Sequence, residues 1–318
     1  MTYKTKSTNY IIVLGTSYSG SGAVFDYLDG RGDLSNPLEG EEYLLPILPN
    51  GLMALEAAAE KSFDPATCEY YLLNFEDISI KLSNFWSQGP QRKKLKNFVP
   101  LFKKNIYEFI MDISSVDYPM KILWRDLLKS PFQKNISRLK NIFGLKQHIP
   151  QTRLLVSREK FIEAAKKMHE NLFFANSENK TIILNQAGSG WNPLESTKYF
   201  NNHKIILITR DPRDQYIELK KFKKGYSILG FIDWYKEMQT RLKMINNENL
   251  LKLNFEDFVN NNESNVSLVC NHLKISPKIF SSYKPELSKI NIGKYKNYSN
   301  KDDIELIEKK LKDFLYKN

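Results

Sequence analysis

The sequence predicts an α/β fold. It has a mostly parallel central sheet with helices on both faces, a P-loop-like strand–loop–helix at its start, and a large, mostly helical insertion at about residues 46–180. Three observations carry that expectation. Short apolar runs recur at Tyr10–Leu14, Thr181–Leu184, Lys204–Thr209 and Asn249–Asn254, and a run apolar on both faces belongs in the middle of a covered sheet. Helix-compatible sequence lies between these runs, and strands alternating with helices wind into a parallel sheet. The long stretch between the first two runs reads instead as mostly helical by pattern.

Taken in order, Tyr10-Ile-Ile-Val-Leu14 is the first strand. The loop Gly15-Thr-Ser-Tyr-Ser-Gly-Ser-Gly22 follows, and then a helix over Ala23–Leu28 with Val24, Tyr27 and Leu28 at helical spacing. Asp33 to Pro46 reads as a loop, because Pro37, Gly40 and Pro46 break any period. Leu52–Lys61 is a short helix. Ser157 is placed to cap a helix over Arg158–Phe174, whose stripe is Phe161, Ala164, Ala165, Met168 and Leu172, with a short strand at Leu154–Val156 before it. Helical sequence resumes from Arg213. The last helix begins near Ser299, with Ile304, Ile307, Leu311 and Leu315 on one side. No linker composition divides the chain, so one domain over residues 1–318 is expected.

Composition narrows the function classes. The 318 residues are 42% hydrophobic and 26% charged, which excludes a disordered, collagen-like or coiled-coil chain. Two cysteines, Cys68 and Cys270, exclude a disulfide framework and a thiol-rich zinc site. His148, His169, His203 and His272 do not cluster in sequence, so no metal site is expected. The first apolar stretch is too short for a signal-peptide core or a membrane span, which points to a cytoplasmic protein with no transmembrane segment. Forty-seven Lys+Arg against 36 Asp+Glu give a net charge of +11. That charge calls for an anionic partner: a nucleotide, a phosphate or sulfate ester, nucleic acid or an acidic lipid surface.

The loop Gly15–Gly22 indicates which. Small residues at the mouth of a helix let backbone N–H groups surround an anion, and the hydroxyls of Ser17, Ser19 and Ser21 add donors. A nucleoside-triphosphatase loop would continue Gly-Lys-Ser/Thr, whereas here Gly20 is followed by Ser21 and Gly22, so ATP hydrolysis is disfavoured. A Gly/Ser turn without a ligand is the plainer alternative.

Four segments in order resemble the sulfotransferases that use 3′-phosphoadenosine 5′-phosphosulfate (PAPS). Ile11–Leu28 is similar to that family's 5′-phosphosulfate loop. Ile205–Asp214 resembles its second signature, a strand ending in an Arg that binds the 3′-phosphate. Leu250–Phe258 resembles its "Tyr-Glu-Asp-Leu" stretch, and Ile292-Gly-Lys-Tyr-Lys296 its Gly-x-Trp-Lys segment. The resemblance implies PAPS as donor, held by Ser17, Tyr18, Ser19, Gly20, Ser21 and Gly22 at the 5′ end. At the 3′-phosphate it implies Arg210, with Lys289, Lys294 and Lys296 closing over it. An Arg at a strand end also suits bidentate phosphate binding on physical grounds, a solvated Arg–Asp turn being the alternative for Arg210 and Arg213. Two positions depart from the pattern. Tyr18 stands where many members carry Lys or Arg, and Glu218 stands where a Ser often helps hold the 3′-phosphate.

Sulfuryl transfer to a hydroxyl needs a base. Leu28-Asp29 followed by Gly40-Glu41-Glu42 resembles the tyrosylprotein-sulfotransferase branch, which implies Glu42 as base with Glu41 in reserve. Adjacent carboxylates raise each other's pKa, which suits that role. An acidic surface loop is the alternative, and His148 is a second candidate base. Asn185–Asn192, after a strand, should face the same cleft. The combined expectation is a sulfotransferase moving a sulfuryl group from PAPS to an acceptor hydroxyl on a glycan or lipid-linked sugar, with no nucleic-acid partner. Its rivals are a P-loop phosphotransferase using another nucleotide, a non-enzymatic basic anion or nucleic-acid binder suggested by the charge and Lys220–Lys224, and a sulfotransferase fold without activity.

Overall fold

The computed structural model describes residues 10–61, 64–119, 130–132, 134–136, 151–175, 181–222 and 227–317. His148, Lys223 and Lys224 lie outside the described residues.

Strands β1 (Tyr10–Gly15), β4 (Ile182–Asn185), β5 (His203–Thr209) and β6 (Leu250–Asn254) form one sheet in the order β4-β1-β5-β6. All neighbours run parallel, with Tyr10 opposite both Ile182 and His203. The apolar runs therefore sit where the sequence places them, each within a residue or two. Their period of two divides the core. Tyr10, Ile12, Leu14, Leu184 and Leu207 point into one apolar cluster, and Ile11, Val13, Ile183 and Ile206 into another on the opposite face. Fully burying such a side chain contributes about 2 kcal/mol, which explains why the central strand β1 is apolar throughout, whereas the edge strand β6 carries the exposed Lys252.

Helices cover both faces. α1 (Ser21–Asp29) leaves the end of β1 and packs with α9 (Phe255–Asn260) and α10 (Asn262–Leu273) around the second cluster. The first cluster runs on into the insertion: α2 (Leu52–Lys61), α3 (Pro65–Gln88), α4 (Phe98–Asp112) and α5 (Arg158–Phe174). α3 begins at a cap in which Asp64 accepts from Thr67 N–H at 2.9 Å. α5 has the boundaries read from sequence, but Ser157 forms no capping hydrogen bond to the backbone.

An antiparallel pair of β2 (Ser114–Pro119) and β3 (Gln151–Leu155) lies between α4 and α5, so the insertion is not all helical. Further helices among the described residues are α6 (Pro193–Thr197), α7 (Pro212–Phe222), α8 (Ile228–Met244), α11 (Pro285–Lys289) and α12 (Lys301–Lys310). α12 ends at Lys310, so Leu311 packs from the turn after the helix, while Leu315 lies in the tail and is in neither core cluster. No helix among the described residues is long and apolar enough to cross a membrane.

Candidate active site

β1 is flanked by β4 on one side and β5 on the other, and its C-terminal end opens into the loop before α1. Ligands of open parallel sheets bind at such a place. The loop has a built shape. Ser19 N–H closes a turn on Thr16 O at 2.8 Å. Tyr18 takes φ +59° and Gly20 φ +86°, both left-handed. Only glycine serves at position 20, because a Cβ there would lie 2.4 Å from the Phe255 ring. Gly20 is the N-cap of α1, so the first N–H groups of the helix have no partner within it and face the loop's concavity. Ser19 is buried, and its Oγ has no hydrogen-bond partner among the described residues. A buried hydroxyl left in this way beside free N–H groups is what an anion-binding loop requires.

Side chains from distant parts of the chain lock that shape. Gln186, itself left-handed at φ +51°, accepts from Gly15 N–H at 3.2 Å and donates from Nε2 to Ser21 Oγ at 2.9 Å. Ser21 thus receives one bond from Gln186 and keeps its own proton to donate. Gln215 donates from Nε2 to Thr16 Oγ1 and to Ser17 O. A Cβ on Gly190 would meet Gly15 O at 2.6 Å, so that glycine lets the loop after β4 lie directly on the loop after β1.

A cleft of about 670 Å³ opens over this floor. Gly15 to Gly22 line it with Glu42, Leu44, Ile47, Gln186, Gly188, Ser189, Gly190 and Trp191. The structure therefore brings Glu42 to the same cleft as the loop, although twenty residues separate them from Gly22 onward. Glu42 is fixed through its backbone. It bridges to Asn185, Tyr43 N–H donates to Asn185 O at 2.9 Å, and Asn185 Nδ2 donates to Gly40 O. Tyr43 is buried against His169. His169 Nδ1 faces Tyr199 O at 3.0 Å and must carry the proton, so Nε2 accepts from Tyr43 O–H at 3.0 Å. Burial lowers the His169 pKa to about 4, which keeps this ring neutral. The Glu42 carboxyl is pushed up, first by burial and then by the neighbouring Glu41 charge. Glu41 is not among the cleft residues; its Oε1 lies beside Gly89 at the end of α3.

Arg210 stands at the end of β5, as the sequence places it, and its surroundings are dense. The side chain is buried, with Nη1 donating to Tyr18 O at 3.0 Å and Nη2 to Asn291 O at 2.5 Å. The guanidinium lies over the Phe255 ring, and Nε has no partner among the described residues. Arg210 lines a second pocket, of about 430 Å³, with Thr209, Asn254, Tyr235 and the tail residues Phe314 to Lys317.

The C-terminal lysines occupy different places. Lys294 is paired with Glu218, Lys289 and Lys296 are exposed, and none of the three lines the loop cleft. The Glu218 carboxylate is thus neutralised by Lys294. No Lys or Arg is among the described residues lining the cleft, and the Tyr18 side chain is 40% exposed. No group of three or more metal-ligating side chains occurs among the described residues.

Two supporting residues escaped the sequence reading. Gln186 was recognised only as part of a cleft-facing segment, and Phe255 only as part of a resembling stretch. Their roles as clamp and floor rest on contacts across most of the chain. Glu256, next to Phe255, accepts from Asp211 N–H at 2.9 Å and so holds the turn that carries Arg210. Burial raises its pKa to about 7.

No family model matches the chain, and no curated protein matches it. Three solved structures are similar to it over nearly the whole length. The sulfotransferase domain from the curacin biosynthetic pathway is 12% identical with a TM-score of 0.42, over 96% of this chain and 98% of that one. The sulfotransferase domain from the Synechococcus PCC 7002 olefin synthase is 13% identical with a TM-score of 0.38, over 97% of each chain. A sulfotransferase from Alicyclobacillus acidocaldarius is 12% identical with a TM-score of 0.38, over 95% of this chain and 94% of that one.

Proposed function

We propose that this chain is a single-domain sulfotransferase that takes a sulfuryl group from PAPS and transfers it to an acceptor hydroxyl on a glycan or lipid-linked sugar. The observation that carries the reading is the meeting, in one cleft, of an anion-shaped loop and a carboxylate with a raised pKa. The residues fit the donor at its 5′ end. The N–H groups of Gly20, Ser21 and Gly22 and the hydroxyls of Ser17, Ser19 and Ser21 would hold the phosphosulfate, with Ser19 acting through its unpartnered Oγ. Arg210 would hold the 3′-phosphate, and the exposed Lys289 and Lys296 would supply positive charge from the C-terminal segment, with Lys294 available only on release from Glu218.

When bound, PAPS supplies a sulfuryl group joined to phosphate through an oxygen, and adenosine 3′,5′-bisphosphate leaves when that bond breaks. Glu42 takes the proton of the attacking hydroxyl, and the pKa shift from burial and Glu41 makes it a stronger base. Glu41, which lies outside the cleft, acts only through its charge on Glu42. Charge that builds on the transferring group meets fixed N–H and O–H donors in place of a loop cation. Trp191, half-buried beside Leu44 and Ile47, offers an apolar face of the kind on which a sugar ring packs. The reading assigns no role to a metal.

The missing cation favours one second reading, a donor-binding protein with little turnover. Titration calorimetry with adenosine 3′,5′-bisphosphate, ADP and ATP tests the donor. Binding of the bisphosphate at least tenfold tighter than ATP, weakened by Ser19→Ala, supports the proposal. Tighter binding of ATP, or equal binding of all three, overturns it in favour of another nucleotide or of unspecific anion binding.

A further inference from the structure

The chain's charge is not spread evenly. Residues 264–301 hold seven lysines and one acidic residue, Glu286, which is +6 of the net +11. The same stretch displays apolar side chains outward: Phe280 is 83% exposed, Leu287 67% and Ile290 73%. The exposure is not that of a loose tail. Ile275, Tyr283 and Ile292 pack against the second core cluster, Ser281 Oγ donates to Tyr27 O at 2.7 Å, and Ser282 N–H donates to Gly30 O at 3.0 Å. The inward residues hold the segment on α1 and α9, and the outward ones are presented to solvent. Lys274, Lys278, Lys284 and Lys289 are exposed along the same stretch and form no ion pair among the described residues.

We infer that this face docks the protein on an anionic lipid bilayer. Lysines attract the negative headgroups, and Phe280, Leu287 and Ile290 enter the boundary between headgroups and acyl chains. Charge complementarity selects an acidic surface. The bare aliphatic and aromatic side chains select a bilayer over nucleic acid, since they add nothing to phosphate contacts in water. The face adjoins the loop cleft, because Arg210 joins Tyr18 O to Asn291 O directly after Ile290. A docked molecule therefore turns the region beside its cleft to the lipid, as a lipid-anchored acceptor would need. That consequence for the acceptor rests on the proposed function. The docking does not, and it is measured without donor or turnover, so either can fail alone.

The test is co-sedimentation of the full chain with vesicles of phosphatidylcholine alone or mixed with phosphatidylglycerol. Binding is expected only to the mixed vesicles, weakening as salt rises. The triple variant Lys274→Glu, Lys278→Glu, Lys284→Glu should lose roughly a hundredfold in partition. The triple variant Phe280→Ser, Leu287→Ser, Ile290→Ser should lose at least about tenfold. Circular dichroism and bisphosphate binding should be unchanged in both. Failure to bind mixed vesicles overturns the inference. So does binding of both vesicle types alike, or binding indifferent to the three apolar substitutions. Equal binding to soluble polyglutamate that ignores those substitutions overturns it in favour of an acidic protein surface.

Discussion

The ends of β1 and β5 lie side by side in the sheet and carry the two most motif-like segments of the chain, yet they are built in opposite ways. After β1 the backbone turns back on itself, exposes the first N–H groups of α1 and leaves the Ser19 hydroxyl unpartnered. After β5 most polar groups are engaged, with Arg210 Nε, Gln215 Oε1 and Glu256 Oε2 the exceptions among the described residues. Arg210 donates to Tyr18 O and Asn291 O, and Arg213 is forked onto Asp211 and paired with Glu308. Asp214 accepts from Gly293 and Tyr295 N–H, and Tyr235 O–H donates to Arg210 O. The first strand end is open for a ligand, and the second is a hub that ties the loop to the C-terminal segment. An Arg at a strand end can thus hold architecture before it holds a phosphate. A motif read from sequence does not separate the two roles.

The sharpest way to break that contrast is Arg210→Ala. Two charge-assisted hydrogen bonds of a buried guanidinium are lost, so the free energy of unfolding in urea should fall by about 4 kcal/mol. A loss well under 1 kcal/mol would mean that Arg210 is no hub.

The next largest effect belongs to Glu256, beneath the same turn. Its pKa is raised from 4.5 to about 7 by burial, so the native state holds a proton that the unfolded chain releases. The sign follows: this group lets stability fall as pH rises from about 4.5 to about 7, by about 3 kcal/mol in all. His169, with its pKa lowered to about 4, acts in the other direction and loses stability as pH falls from 6.5 toward 4, so the wild-type profile partly hides both. Glu256→Gln keeps an acceptor for Asp211 N–H and removes the titration. Unfolding curves at pH 5 and pH 8 should show the variant gaining on the wild type at pH 8. A difference that does not change with pH would contradict the account.

The smallest effect concerns the open side. Gln186→Ala removes the clamp on Gly15 and Ser21, and should cost about 1 kcal/mol of stability and roughly tenfold in bisphosphate affinity. Titration calorimetry and urea unfolding on one preparation separate the two numbers. Unchanged affinity would mean that the loop holds its shape without Gln186.

The frame of the fold was legible because its signals are local. Apolar runs bounded by glycine, serine or charge mark all four strands of the parallel sheet, and the helix over Arg158–Phe174 shows its stripe within itself. Of the β2–β3 pair only the end of β3 was legible, as the short strand read at Leu154–Val156. Ser114-Ser-Val-Asp-Tyr-Pro119 has no strand pattern, and its partner follows after more than thirty residues with no hairpin turn to announce it. The site divides along the same line. Ser17 to Gly22 and Arg210 are contiguous with strands, so their place at strand ends could be read from sequence. The bonds from Gln186 to Gly15 and from Tyr43 to His169, and the Phe255 ring under Gly20, depend on packing between segments more than a hundred residues apart. Lys294 shows the limit from the other side: its charge was legible, but its pairing with Glu218 required the folded chain.

Hydrogen exchange read by mass spectrometry, with and without adenosine 3′,5′-bisphosphate, tests the contrast between the two strand ends most directly. The account predicts that the ligand protects amides over residues 15–22 strongly. Residues 209–214, already bonded in the free protein, should change little. Protection confined to the pocket formed by Thr209, Asn254 and Phe314 to Lys317, with the glycine loop unchanged, would contradict it.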